Sequence, residues 1–433
     1  MNNEKKLDFT YLHRGITMMN ILIIVQNISG GCIFMYVEKA GEKLALIDKV
    51  DAMDNQLREL ALKIHQNPEV SFQEQQAMNW LTEPLEEAGF VIEKGIATLE
   101  TSFRATWEGT PGGPTIALLA EYDALAGLGH GCGHNIIGTS AVGAAIALKE
   151  TMPNLKGKIV VLGTPAEELG GGKIIMVEQG VFDQVDAAMM CHPHKKSMVL
   201  RGGLACVDAT FKYYGKAAHA AASPEQGISA LDAVIHTFVA VNSLRQFFKD
   251  DVRIHGIITK GGEATNVVPA YCEAEFLLRA ENVEQLELVR EKVYAAARYS
   301  AEAVGAALEI EEGLIYAERN NNHALAHLFK DNLELLDEEV SDPPKKGGIG
   351  SSDIGNVGQV TATIHPYIKI TDSANTHTPE FVDAAGSEEG MKGLNKAAKA
   401  LALTAFDLCT NEQSLKAIRS EFEEWKRSKQ QVK

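Results

Sequence analysis

Apolar residues recur at three- and four-residue spacing through "LIDKVDAMDNQLRELALKIHQNPE", and the pattern predicts a helix that stops at Pro68. A second pattern of the same kind, "SFQEQQAMNWLTEPLEEAGF", closes near Gly89, so residues 48–89 read as helical. Short apolar runs then alternate with helical stretches. "PTIALLAEYD" reads as a buried strand and "IIGTSAVGAAIALKE" as a small-residue helix packed close to a sheet. "GKIVVLGTPAEE" is the next strand, "GGKIIMVEQG" a helix and "DAAMMCH" a third strand. Strand, helix, strand, helix predicts a three-layer α/β/α sandwich.

The texture changes near residue 205. "ACVDATFKYYGK", "VRIHGIITKGG" and "AYCEAEFLLRA" look like strands of a smaller sheet, accompanied by helical patterns over residues 227–249 and 283–304. Two helices on a few strands predict a small α+β domain inserted into the first. The chain returns to the sandwich with "KKGGIGSSDIGNVGQVTATIHPYIKI" as loop and strand, and "DAAGSEEGMKGLNKAAKALALTAFDLC" as a closing helix. The expected division is an N-terminal extension over 1–45, a sandwich domain over 46–204 and 319–433, and an inserted domain over 205–318.

Composition narrows the function. The net charge of −17 disfavours nucleic acid, because phosphate binding needs basic surface, and gives no broad attraction to anionic membranes. An anionic substrate must therefore be met by a few local cations. Six scattered cysteines form no disulfide framework, which points to free thiols in a reducing, cytoplasmic setting. One stretch pulls the other way. Residues 16–37, "ITMMNILIIVQNISGGCIFMYV", are uncharged and follow Lys5, Lys6 and Arg14, as a signal or anchor segment would. Asn20, Gln26, Asn27 and the Gly30-Gly31 pair dilute it, and a downstream start such as Met35 is the alternative. The balance is against a membrane role, with an anchored or exported form open if the stretch is retained.

Reactive side chains gather at strand ends, where ligands bind in α/β sheets. "GHGCGHN" places Cys132 and His134 two residues apart, on one side of an extended segment, among glycines that permit close approach to an ion. Thiolate and imidazole suit zinc and related ions, although a lone pair of this kind is more often without a metal. "GTPAEELGGGK" adds Glu167 and Glu168, which point opposite ways in an extended chain, so that one could bind metal and the other move a proton. "AMMCHPHKK" ends the next strand with Cys191, His192 and His194. His377, in "NTHTPEF", reads by itself as a surface histidine.

Taken together and in order, "AEYDALAGLGHGCGHN", "GTPAEELGGGK", "GKAAHAAASPEQGISALDA", "GGEATNVVPAYCEAEFLLR", "SSDIGNVGQVTATIHPYI" and "HTPEF" resemble the metal-dependent aminoacylase and carboxypeptidase family of metallopeptidases. The likeness runs from about residue 50 to residue 410 and is closest to the branch of p-aminobenzoyl-glutamate hydrolase and the β-alanyl-lysine type dipeptidases. It implies a dinuclear metal-dependent amidohydrolase that cleaves an amide next to a free carboxylate, in a dipeptide, an N-acyl amino acid or p-aminobenzoyl-glutamate. It implies two divalent ions per chain, zinc or manganese first, with cobalt or nickel also suited. Cys132, His134, Glu168, His192 and His377 match the ligands, with Cys132 able to bridge, and Glu167 matches the general base. Asp123 matches the acid that orients a ligand. The inserted domain resembles a lid that also forms a homodimer contact. Its His219 matches the histidine that reaches the partner's site, and Asn266 and Arg279 match residues that hold the substrate carboxylate. His365 is a feature of the branch and an expected substrate contact, His194 is extra, either a decoy or a substrate contact, and His130 carries no assigned role. Asn135 stands where many relatives have Asp, and residues 1 to about 45 have no counterpart. A catalytically silent relative and a purely structural metal site are the competing readings. Five ligand positions with a spare base beside them argue against both.

Overall fold

The computed structural model describes residues 32–344 and 350–431. Among these, β1 (Val91–Lys94), β2 (Phe103–Glu108), β3 (Thr110–Ala120), β4 (Lys156–Gly163) and β5 (Ala187–Met189) come first, followed by the short β6 (His192–His194). β7 (Ala205–Tyr214), β8 (Arg253–Lys260), β9 (Tyr271–Ala280) and β10 (Ala307–Glu312) form a group of their own, and β11 (Ala362–Ile364) and β12 (Tyr367–Lys369) close the series.

The first sheet has the order β1-β2-β4-β3-β5-β11. β4, β3, β5 and β11 run parallel, while β1 and β2 are antiparallel to their neighbours. Side chains alternate across a strand, and β3 divides its apolar residues accordingly. Ile116, Leu118 and Ala120 enter the larger core, and Ala117 and Leu119 enter a smaller cluster on the opposite face. Helices Cys32–Ala52, Asp54–Gln66, His134–Thr151 and Glu388–Thr410 pack around the larger core, and Gly172–Glu178 and Ile354–Val357 cover the smaller one. The arrangement is the three-layer α/β/α sandwich that the alternating pattern predicts.

The second unit is an antiparallel sheet of order β10-β7-β9-β8 with helices Ala230–Leu244 and Val283–Val304 packed on it and an apolar core of its own. Ser229 and Asn282 start these helices by accepting from the backbone N–H groups of Asp232 and Gln285. The unit joins the sandwich through two adjacent segments, where Cys206 and Tyr316 exchange backbone hydrogen bonds of 2.9 Å and Arg319 N–H reaches Gly203 at 3.3 Å.

Several elements differ from the sequence expectation. The first helix starts at Cys32 and runs through residue 45, because Leu46, Ile47 and Val50 are core residues and Lys43 is fastened to Asp407 at 2.7 Å. Residues 16–31 of the apolar N-terminal stretch lie outside the described residues, and no described helix is long and apolar enough to cross a membrane. "DAAMMCH" is not one strand. β5 ends at Met189, and His192 opens β6, which leaves the main sheet to pair with β12. β10 is an additional strand of the small sheet. Its alternation, Leu308 and Ile310 between acidic residues, is short and mostly exposed.

Helix His134–Thr151 is buried on all sides from His134 to Leu148, which its small residues permit. A Cβ at Gly138 would lie 2.8 Å from the Glu121 carbonyl oxygen, so this helix rests directly on the strand end that leads to the reactive residues. Gly138→Ala is expected to lower stability by about 1–3 kcal/mol through overpacking. Gly41, exposed in the first helix with nothing within 4 Å, gives the opposite sign. Gly41→Ala is expected to raise stability by about 0.5–1 kcal/mol. Urea midpoints of the two variants beside the parent protein check both.

Candidate metal centre

All four parallel strands of the main sheet deliver polar residues from their carboxyl ends: Glu121 and Asp123 after β3, Glu167 and Glu168 after β4, His192 after β5, and His365 after β11. Cys132 and His134 approach from the glycine loop. They are adjacent through a turn and not through an extended segment as the sequence suggests. Gly133 adopts the left-handed conformation, φ 75° and ψ 29°, and His134 is already the first residue of its helix.

Asp123 ties the pieces together. Its carbonyl and its Oδ1 accept from His134 Nδ1 at 2.9 and 3.1 Å, and its Oδ2 accepts from Ser71 Oγ at 3.1 Å and from the Glu168 backbone N–H at 2.9 Å. With Nδ1 donating to Asp123, His134 turns its Nε2 toward the centre. His192 does the same, because its Nδ1 donates to the Pro193 carbonyl at 2.7 Å. Two residues here hold the left-handed region that side chains disfavour, Ala166 at φ 61° and His377 at φ 66°. Ala166 N–H is held by Glu74 at 2.9 Å and His377 N–H by the Gly131 carbonyl at 2.9 Å. The backbone strain of both loops is thus balanced by specific bonds next to the reactive side chains.

Ligand-type atoms converge in groups lying within 4.8 Å of one another. Cys132, His134 and His192 form one, and Cys132, Glu168 and His377 form another, so the two share the thiol. Glu167 joins His134 and Glu168 in a third. Glu167 and Glu168 therefore diverge less than an extended strand would require, because they sit in a turn. The Nε2 of His134 and the Oε1 of Glu168 are buried without a hydrogen-bond partner, and such orphaned donors and acceptors call for an explanation. A thiol, three imidazoles and a carboxylate are a donor set that suits a zinc-like divalent ion, which would satisfy both orphaned atoms.

The protonation pattern fits. Burial pushes the Cys132 thiol up. Burial pulls His134 down, but the bond and charge of Asp123, the adjacent Cys132 thiol and the charge of Glu121 outweigh it, so its net shift is upward. Asp123 ends at about 2 despite burial, through the bond and charge of His134 and the Glu168 N–H. Two of the candidate ligands, Cys132 and His134, thus hold protons that a cation would displace.

Beneath it lies a charge network that the sequence did not reveal. Lys173 Nζ is 2.7 Å from both Glu121 and Asp353 and is fully buried. Glu121, Glu167 and Asp353 form a fourth convergent group, whose place for a cation the ammonium already occupies. Glu167 keeps some accessible surface while its carboxyl is enclosed by protein. Burial, then Glu121, Asp353 and Glu168, push its pKa well up. Glu121 was legible in principle, since it shares a face with Asp123 in "AEYD". Lys173 read only as the start of a helix.

The remaining residues separate. His365 is buried with its ring 5.1 Å from that of His192, so it lies at the centre's edge. His194 turns away, its Nε2 accepting from Arg201 at 2.8 Å, and burial and then Arg201 hold it neutral with a pKa of about 4. His130 is buried against His65 and pushed down by burial to about 3. His219 and Asn266 are exposed on two loops of the second unit that hydrogen-bond to each other, and neither joins any of the four groups. Arg279, half-buried on β9, sits opposite Cys206, whose thiol feels both Arg279 and Glu167.

Comparison with known proteins agrees with this arrangement. The chain is 37% identical over 391 residues to the Xaa-Arg dipeptidase of Mus musculus, covering 87% of this chain and 90% of that protein. It is 38% identical over 275 residues to one of the subunits of the p-aminobenzoyl-glutamate hydrolase of Escherichia coli (strain K12), covering 59% of this chain and 57% of that one. Among solved structures, it shares its fold with an aminobenzoyl-glutamate utilization protein from Klebsiella pneumoniae (TM-score 0.67, 18% identity, 83% of this chain and 98% of the other). A dinuclear metal-binding peptidase of the M20 family from Bacillus subtilis has the same fold (TM-score 0.63, 20% identity, 82% and 99%). The model of peptidase family M20/M25/M40 matches residues 117–402, which hold every convergent group described above, and the chain belongs to that family.

Proposed function

We propose that the protein hydrolyses the amide bond of a small dipeptide or N-acyl amino acid whose amine half ends in a free carboxylate. The observation that carries this reading is the pair of three-residue groups sharing Cys132, with Glu167 beside them. Cys132, His134 and His192 would hold one divalent ion, and Cys132, Glu168 and His377 a second, with the thiolate between them. Zinc is favoured by the thiolate, and manganese, cobalt or nickel are the alternatives, since availability decides as much as affinity. When bound, such ions supply the Lewis acidity that makes water nucleophilic at neutral pH.

The chain's own residues do the rest. Asp123 fixes the ring of His134. Glu167, whose raised proton affinity follows from burial and neighbouring carboxylates, takes a proton from water and returns it to the leaving amine. His219 accepts from the Ala221 and Ala222 N–H groups through Nδ1, which leaves its Nε2–H as a donor for a substrate carbonyl. Arg279 and Asn266 receive the substrate carboxylate, the arginine through its planar fork. His365 contacts the substrate from the edge of the centre.

Because His219 and Asn266 stand on exposed loops, we assign them to the site of a partner subunit in a homodimer. The second unit carries the apolar surface that such a contact needs, with Val239 60%, Ile257 61% and Phe247 69% exposed. Cys132, Cys191, Cys206, Cys272 and Cys409 are unpaired, which supports a cytoplasmic setting.

Glu167→Gln is expected to keep the metal content of the parent and to lose at least about a thousandfold in kcat, the upper range for general acid–base catalysis. Retention of full turnover would remove Glu167 from the role of base. The dimer assignment has its own test. Mixing the inactive Glu167→Gln and His219→Ala variants, with subunit exchange, is expected to restore about a quarter of parental activity, since half the dimers are mixed and each has one intact site. No recovery after proven exchange would place His219 outside the partner's site.

A further inference from the structure

We infer that the preferred substrate carries a second carboxylate on the side chain of its amino-acid half, and that Arg319 receives it. This inference rests on the amidohydrolase reading above and goes beyond it by choosing among substrate classes.

Arg319 lies where the chain leaves the second unit, its backbone N–H on Gly203. Its Nη1 donates to the Tyr367 hydroxyl at 2.5 Å, and its guanidinium lies over the Tyr367 ring at 5.6 Å. Its Nε is buried without a hydrogen-bond partner, and no described carboxylate forms an ion pair with it. Arg319 as a whole is half-buried, but a guanidinium N–H enclosed without an acceptor costs free energy, and an anion placed there would satisfy it. Tyr367 accepts from Arg319 and so retains its own proton for a further acceptor. Arg201 packs over the same ring at 5.2 Å and is oriented by His194 at 2.8 Å. The donors thus surround one aromatic ring.

This cluster of donors adjoins the candidate metal centre. The Tyr367 ring is 5.4 Å from that of His192 and 5.0 Å from that of His365. His365 Nδ1 is likewise buried and unpartnered. The charge of Arg319 acts on His365 next after burial, and on His192 after burial, His134 and the Pro193 carbonyl. A group bound at Arg319 therefore lies within a side chain's length of the reacting bond. Arg279 is already assigned to the main-chain carboxylate, so Arg319 is left for a second one. The overall charge of −17 would repel an anion, so local cations must supply the attraction. A basic side chain in the same place would bring like charges together. A glutamate side chain, as in the substrate named for one relative, matches the charge of these donors, and an arginine side chain, as named for the other, does not.

The test compares p-aminobenzoyl-glutamate with its glutamine and lysine analogues, in turnover by metal-loaded protein and in calorimetric binding to metal-free protein. The parent is expected to favour glutamate over glutamine by about ten- to a hundredfold in kcat/KM, as for a charge-assisted hydrogen bond, with lysine slowest. The same order is expected in binding. Arg319→Gln is expected to reduce the glutamate-to-glutamine ratio to within about threefold, and Arg319→Lys to keep part of it, since an ammonium retains charge but not the fork. Equal or faster turnover of glutamine or lysine by the parent would overturn the inference, whatever the variants do. An undiminished ratio in Arg319→Gln would remove Arg319 from the role. A binding preference for glutamate with no cleavage of any of the three would sink the amidohydrolase reading while leaving the carboxylate pocket standing.

Discussion

The carboxylate of Asp123 is the constraint on which the centre depends. One buried side chain holds the His134 ring, the Glu168 backbone and Ser71, which belong to three separate segments. Its pKa of about 2 shows that these bonds outweigh the cost of burying its charge. Because Asp123 follows β3 directly, the register of the sheet is passed to the glycine loop and to the Glu167-Glu168 turn. The helix that starts at His134 cannot move independently either, since Gly138 lies against the Glu121 carbonyl.

Electrostatics beneath the centre answer a second problem. Glu121, Glu167 and Asp353 converge in a buried space, where three unbalanced carboxylates would be prohibitive. Lys173 provides a fixed internal cation, held by two contacts of 2.7 Å. One ammonium offsets only one of the charges of Glu121 and Asp353, and burial leaves both Asp353 and Glu167 with a raised proton affinity. The same logic, with the sign reversed, separates the substrate-facing arginine from the rest of the acidic chain. Arg319 is half-buried against an aromatic ring, with its Nε enclosed and no described carboxylate paired with it.

The layered sandwich was legible in the sequence because β3, β4 and the helix after His134 carry long, unmixed patterns. Cys132, His134, Glu167, Glu168 and His192 were legible because they follow those patterns at strand ends. What failed was local geometry. A left-handed Gly133 puts Cys132 beside His134, a result that no alternation rule contains. β6 leaves the main sheet by pairing with β12, a contact across more than 170 positions. Lys173, Asp353 and Arg319 were invisible for a related reason. Each is an ordinary charged residue in sequence and acquires meaning only from what the fold places next to it. His377 lies between these cases. It reads as a surface residue and its side chain is 59% exposed, and its convergence with Cys132 and Glu168, 3.7 Å from the latter, marks it out.

The central claim is that the groups sharing Cys132 are built to exchange protons for two divalent ions. Calorimetric titration of chelator-treated protein with zinc, in buffers of different ionisation enthalpy, tests it directly. The account predicts close to two ions per chain, with about two protons released as Cys132 and His134 give up theirs, and hence an affinity that rises with pH. Absence of tight binding, or binding of a single ion with no proton release, would contradict it.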